Sequence, residues 1–313
     1  MKITGNICVS GGKKMADGRF VNEDGLVTFS VDFMNKKYDF IILMDGATGL
    51  GKDHQIVEGY TSAEWYVAFM MREMKKMFEK EPSLDLEFVV EKCILKAIKE
   101  IMAFERENNI NLEEYQKPSA ALSLLRTDGK TTDVYLIGDT QAIVAYVNGE
   151  VTKIDNPNQT ALQKLDNSVI RRMAELAKER GCNVLDTRVD EEIEKMLRDN
   201  RNKKNTDCEG CYWVCGTTPG TAKHGVCTTF NNSDVAGFVL ASDGFDFSML
   251  NLDEQQVYKF ITESGTEVVT RLIREKQEED FMCNQFPRFK KSDDLTVVYF
   301  DYMEHEKFID FER

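Results

Sequence analysis

The hydrophobic period changes several times along the chain. LVTFSVDF (26–33) and YDFIILM (38–44) are short, β-branched and aromatic, with polar NKK in the connection between them, and this predicts an antiparallel hairpin. Thr61-Ser62-Ala63-Glu64 has the form of a capping box, and Tyr66, Met70, Met74, Met77 and Phe78 follow at helical spacing, so a helix is expected to run to about Lys80. After Pro82 a second helix places Leu86, Val90, Cys93, Ala97 and Ile101 on one stripe. SAALSLLRT (119–127), TDVYLIG (132–138), QAIVAYVNG (141–149) and EVTKID (150–155) then read as a four-stranded meander with turns such as Asp128-Gly129 and Asn148-Gly149. Residues 159–200 return to charged helical patterning, and RNKKNTD (201–207) reads as an exposed, mobile polar loop. Strands resume at YWVC, VCTTF and AGFVLAS, a helix is expected after the capping-box pattern Ser264-Gly265-Thr266-Glu267, and LTVVYF (295–300) is the last strong strand. This succession fits two antiparallel sheets flanked by helices better than a doubly wound parallel sheet.

The 313 residues suffice for a substantial core, and no repeat, low-complexity tract or linker forces a domain boundary. A net charge of −14 argues against nucleic acid or an anionic membrane as the main partner. The opening MKITGNICVSGGKKM lacks a signal peptide's apolar core, and no apolar run approaches the length of a bilayer, which together predict a cytoplasmic protein. Eight irregularly spaced cysteines are expected to be reduced thiols. Cys208, Cys211 and Cys215, with His224 and Cys227, have the residue types of a structural zinc site, but their spacing is irregular and scattered thiols fit better.

GATGLGKD (46–53) has the spacing of a phosphate-binding P-loop, yet Asp53 stands where a hydroxyl should hold Mg²⁺, and no helix begins at once. The informative feature is the preceding strand end. FIILM-Asp45-Gly46 and GFVLAS-Asp243-Gly244 are both apolar strands ending in Asp-Gly, while Glu23-Asp24 and Asp293-Asp294 stand immediately before strands. A carboxylate at a buried strand end is costly unless paired or bound to a cation. Oxygen-rich clusters of this kind suit Mg²⁺ or Mn²⁺ rather than zinc.

The order and context of these junctions resemble the metal-dependent type 2C protein serine/threonine phosphatases, the PPM family. The resemblance spans Arg19 to Phe300 and rests on Arg19-Phe20-Val21-Asn22-Glu23-Asp24, Met44-Asp45-Gly46, Gly138-Asp139-Thr140-Gln141, Ser242-Asp243-Gly244 and Asp293-Asp294-Leu295-Thr296-Val297. It implies an α+β fold, a four-layer α-β-β-α sandwich with two central antiparallel sheets, in one domain over 1–302, with a variable flap at about 160–210 and a tail over 303–313. It also implies hydrolysis of phosphoserine or phosphothreonine by a water bridging two Mn²⁺ or Mg²⁺ ions. By the same carry-over, Asp45 bridges the two ions, Asp243 and Asp293 complete one, and Gly46 offers its carbonyl to the other, whose waters Glu23 and Asp24 hold. Asp139 corresponds to the ligand of a third, weaker ion. Arg19 corresponds to the residue that grips the phosphate, a bidentate task suited to guanidinium. The implied partners are phosphoprotein substrates and a cognate kinase. The alternative is a catalytically silent relative that binds a phosphoprotein or a regulatory partner, because Ala47 and Thr48 alter the loop after Asp45-Gly46.

Overall fold

A computed structural model describes residues 2–15 and 17–302; the expected tail at 303–313 lies outside the described residues. In chain order the elements are β1 (Lys2–Val9), β2 (Asp24–Phe33), β3 (Lys36–Ala47), α1 (Ser62–Lys80), α2 (Leu86–Asn108), β4 (Ser119–Thr127), β5 (Thr131–Ile137), β6 (Gln141–Tyr146) and β7 (Val151–Lys153). They continue with α3 (Pro157–Arg180), α4 (Glu191–Arg201), β8 (Val226–Asn231), β9 (Val235–Ala241), α5 (Glu254–Ser264), α6 (Thr266–Glu279) and β10 (Leu295–Asp301). The strands build two five-stranded antiparallel sheets, ordered β1-β10-β9-β6-β7 and β2-β3-β4-β5-β8.

The layering follows from the two-residue period of β3. Phe40, Ile42 and Met44 point to one face and join Tyr66, Met70, Met74 and Phe78 of α1 and Val90, Ile94 and Ala97 of α2. Ile41 and Leu43 point the other way, meeting Val144, Phe238, Leu240, Val298 and Phe300 of the second sheet. The far face of that sheet, through Val239, Val297 and Tyr299, packs on Val257 and Ile261 of α5 and Val269 and Ile273 of α6. The four layers are therefore α1/α2, sheet, sheet and α5/α6. Helices α3 and α4 lie outside them with a small core of their own, Val169, Met173, Leu176, Val184 and Ile193.

The β2–β3 hairpin forms as expected, turning through Met34 and Asn35, both at positive φ. The capping box of α1 is also present: Glu64 N donates to Thr61 Oγ1 at 3.1 Å and Thr61 N to Glu64 Oε2 at 2.9 Å. Four expectations need correction. The meander does not exist, because β4 and β5 belong to one sheet and β6 and β7 to the other. Gly138, at φ 88°, makes the corner, and β5 turns to β8 for its second neighbour. Hydrophobic alternation reports that a strand is buried but not which sheet buries it. Secondly, YWVC makes isolated bridges at Lys204↔Tyr212 and Ala120↔Cys215 rather than a strand. Thirdly, Gly265 caps α6 without a side-chain bond, so the second capping box is absent. Lastly, the supposedly exposed loop at 201–207 is partly interior, because Lys204 is fully buried and donates to the carbonyls of Glu114 and Lys117, both at 3.3 Å. Strand β1 and helix α5 had no counterpart in the sequence reading.

Candidate active site

Both sheets direct acidic strand ends to one edge of the sandwich. Asp24 opens β2 and Asp45 nears the end of β3, and the two are register partners. From the opposite sheet, Asp243 follows β9 and donates its backbone N–H to Asp45 Oδ2 at 3.3 Å, across 198 residues of sequence. Asp139 stands at the corner between sheets, where Gln159 at the start of α3 donates to its carbonyl at 3.1 Å. Asp139, Asp243 and Asp293 line one cleft of about 500 Å³ that also receives Asp166 and Lys290.

The electrostatics record the convergence. Burial, then the charges of Asp243, Asp24, Asp139 and Asp293, hold the Asp45 carboxyl well above the usual range. Asp243 opens to the cleft solvent, yet enclosure by the surrounding protein, and then Asp293 and Asp139, raise it well above its ordinary value. Burial and Asp293 likewise raise Asp139, with Arg201 opposing. Asp24 is 8% exposed; burial pushes its carboxyl up to about 7, against the hydroxyls of Ser242 and Thr296, and Asp293 and Asp294 add to the rise.

Glu23 and Gly46 lie at the same strand ends. Gly46 N donates to the Glu23 carbonyl at 3.1 Å, and the Glu23 carboxylate receives Lys13 Nζ at 2.8 Å and the Thr48 hydroxyl. Arg19 is held elsewhere: its guanidinium forks onto Glu64 at 2.7 and 3.0 Å, donates to the Gly59 carbonyl at 2.5 Å and stacks on Tyr60. Thus the structure gathers Asp24, Asp45, Asp139, Asp243 and Asp293, sets Glu23 and Gly46 beside them, and ties Arg19 to the first turn of α1.

Three side chains here make contacts that the sequence does not show, and two of them, Asp166 and Lys290, carry no signal in it. Asp294 clamps the approach to β2, accepting Gly11 N at Oδ1 and Glu23 N at Oδ2, both at 2.7 Å. Asp166 of α3 is pushed up to about 7 by burial and by Asp139. Lys290 Nζ lies 2.5 Å from Asp293 Oδ1. Its side chain opens to solvent, yet enclosure by the surrounding protein would lower its ammonium; Asp293, Asp243 and Asp45 reverse that and hold it above its usual value. The Asp-Asp dipeptide at 293–294 was visible in sequence, whereas the contacts of Asp166 and Lys290 depend on the placement of the connections after β7 and α6.

Among the described residues, no three histidine, cysteine or acidic side chains stand ready to ligate one ion. The chemistry of the acidic set nevertheless fits a hard divalent cation. Its donors are all oxygens, Asp24 Oδ2 is buried without a hydrogen-bond partner, and Asp45 is crowded by four like charges. The zinc constellation stays apart: Cys215 is buried in the helix-sheet core, Cys208 and Cys227 are exposed, and His224 stacks on Trp213 at 3.4 Å.

Gly244 is required where the Asp243 turn meets the approach to β10, because a Cβ there would fall 1.9 Å from the Asp294 carbonyl oxygen. Gly244→Ala is expected to cost about 1–3 kcal/mol, the scale of overpacking. Denaturant unfolding measures it, and an unchanged midpoint would mean that the 293–294 segment yields freely.

Two facing antiparallel sheets, flanked by helices and joined at one edge by an acidic cleft, define a PPM phosphatase-type sandwich. The sequence model described as Protein phosphatase 2C matches residues 22–282, and the chain belongs to that family. Similar solved structures include a mutant bacterial serine phosphatase, at 11% identity and TM-score 0.56, covering 97% of this chain and 100% of that one. The serine/threonine phosphatase Stp1 from Staphylococcus aureus gives 14% and 0.53, with 97% and 96% covered. PstP/Ppp from Mycobacterium tuberculosis gives 14% and 0.51, with 95% and 97% covered. At these identities the likeness concerns the fold. Among curated proteins, none matches the chain. No helix among the described residues is long and apolar enough to cross a membrane.

Proposed function

We propose that the chain is a metal-dependent protein serine/threonine phosphatase. The observation that carries this reading is the meeting of Asp45 and Asp243 from opposite sheets within a ring of aspartates whose repulsion a cation would relieve. Two Mn²⁺ or Mg²⁺ ions bound there would neutralise phosphoryl charge and acidify water.

The chain's own residues do the rest. Asp45, fixed by its place on β3 and by the Asp243 N–H, presents its carboxylate between the two sheets. Asp243 and Asp293 face it from the β9–β10 side, Gly46 offers its carbonyl, and Glu23 and Asp24 orient water at the β2 side. Asp139, beside the start of α3, supplies the place for a third, weaker ion. Arg19 reaches a phosphoryl group by exchanging Glu64 for it, since most of its donors are already engaged. Phosphoserine and phosphothreonine proteins are the proposed substrates, and a cognate kinase the proposed partner.

The test is release of phosphate from a phosphothreonine peptide by purified protein in Mn²⁺, Mg²⁺ or EDTA. Turnover is expected with either ion and none in EDTA. Folded protein that binds Mn²⁺ and never turns over would instead favour a silent phosphoprotein-binding relative.

A further inference from the structure

We propose that Lys290 is the built-in counter-cation of the acidic cleft, and that a divalent ion binds only by displacing its ammonium from Asp293. The inference rests on the reading of the cleft as a cation site. Nζ lies 2.5 Å from Asp293 Oδ1, three residues away, and both side chains line the cleft shared with Asp139 and Asp243.

The backbone beside this lysine is anchored. Arg288 donates to the Asp280 carboxylate at 2.9 Å and to the carbonyls of Gln277, Asp280, Phe286 and Lys291 at 2.7–3.0 Å. Phe289 packs against the α3/α4 core, and the Lys290 carbonyl accepts Cys283 Sγ at 3.6 Å. The lysine side chain itself is 57% exposed, so its flexible stem can swing while its root stays fixed. The other cations lining the cleft are committed differently, Lys153 to Gln141 at 3.1 Å and Arg288 to Asp280. Among the described cations that line the cleft, Lys290 is the one ion-paired to a cleft aspartate.

A cluster of like charges is costly without a counter-charge, and one ammonium relieves part of that cost. A divalent ion relieves more, but its apparent affinity is lowered by the equilibrium of the ion pair it must break. The sequence places this cation on the very segment that carries Asp293, so it never leaves the neighbourhood. The device holds the empty cleft together and sets the ion concentration at which it fills.

The experiment is calorimetric titration of the full chain with Mn²⁺, comparing Lys290→Met, Lys290→Arg and Lys291→Met, with circular dichroism confirming the fold. Lys291 is the control, since it carries the same charge one residue away but turns to Glu278 at 3.6 Å. Lys290→Met is expected to tighten Mn²⁺ binding roughly fivefold, the factor that an ion pair of this exposure is worth. It should also lower the melting temperature of the metal-free protein. Lys290→Arg should stay near the parent, and Lys291→Met within about twofold of it. Unchanged or weaker binding by Lys290→Met would overturn the proposal, as would equal tightening in both Met variants, which would mark a general charge effect. Absence of Mn²⁺ binding by the parent chain would remove the cation-site reading itself.

Discussion

Replacing Asp45 with Asn is expected to abolish phosphopeptide hydrolysis while leaving the metal-free protein more stable than its parent. Asparagine keeps nearly the same shape and retains a carbonyl oxygen for the Asp243 N–H, so the β3 end and the link between the sheets should survive. What disappears is a negative charge at the centre of the aspartate ring, which burial and four neighbouring carboxylates already disfavour. Loss of a group that only supports a metal ligand costs roughly 10–100-fold, and a proposed bridging ligand should cost more than that. The opposite signs make the result diagnostic: a misfolded variant loses both activity and stability, whereas an emptied metal site loses only activity. Phosphate release with Mn²⁺ and thermal melts in EDTA supply the two readings. Activity within tenfold of the parent would refute the role given to Asp45.

The second large effect is a fall in the stability of the metal-free protein as pH rises from 5 to 7. Asp24 titrates at about 7 in the folded chain, raised first by burial, while its unfolded value is about 3.9. Across that window the folded state holds the proton more tightly, so stability falls with pH; the benefit is complete below the unfolded value and gone above the folded one. Between pH 5 and 7 this amounts to a loss of about 2 kcal/mol. Asp45, Asp139 and Asp243 are shifted in the same direction and reinforce it. Above pH 7 the sign changes for Lys204, whose ammonium burial lowers to about 7; stability linked to it rises with pH up to the unfolded lysine value. Above pH 7 the rise linked to Lys204 therefore opposes the fall linked to the carboxylates, and saturating Mn²⁺ should remove that fall. Urea unfolding at pH 5, 6, 7 and 8, with EDTA and with Mn²⁺, tests this. A flat EDTA profile would contradict it, and Asp24→Asn should shrink the slope.

How far the sequence reached depended on whether a signal was local. Asp-Gly at the end of an apolar strand is readable from seven residues, and those strand ends do meet, because β3 and β9 lie in facing sheets with Asp45 and Asp243 at the same edge. Helices α1 and α2 were legible because capping chemistry and apolar stripes agree within each one. The corner at Gly138 was not, since a turn within one sheet and a turn between two look alike in a linear pattern. Strand β1 was missed because half of it is polar and its partner β10 lies almost 300 residues away. Arg19 and Glu64 were each visible, but nothing in the sequence says that a guanidinium will choose a carboxylate 45 residues on. Lys204 carries no sign of burial in the sequence, since Lys is usually solvated, and only the tertiary fold shows the carbonyls that receive it.

The pairing of β1 with β10 has a consequence for synthesis. Ile3 lies against Phe300 and Val9 against Leu295, so β1 leaves the ribosome long before β10, the one strand of its sheet that it pairs with. A nascent chain that stops short of β10 has α1, α2 and the β2–β3–β4 ladder, yet lacks both the seat of β1 and the segment that carries Asp293. The acidic cleft would then be completed in a single late step, and a product truncated before β10 would lack it.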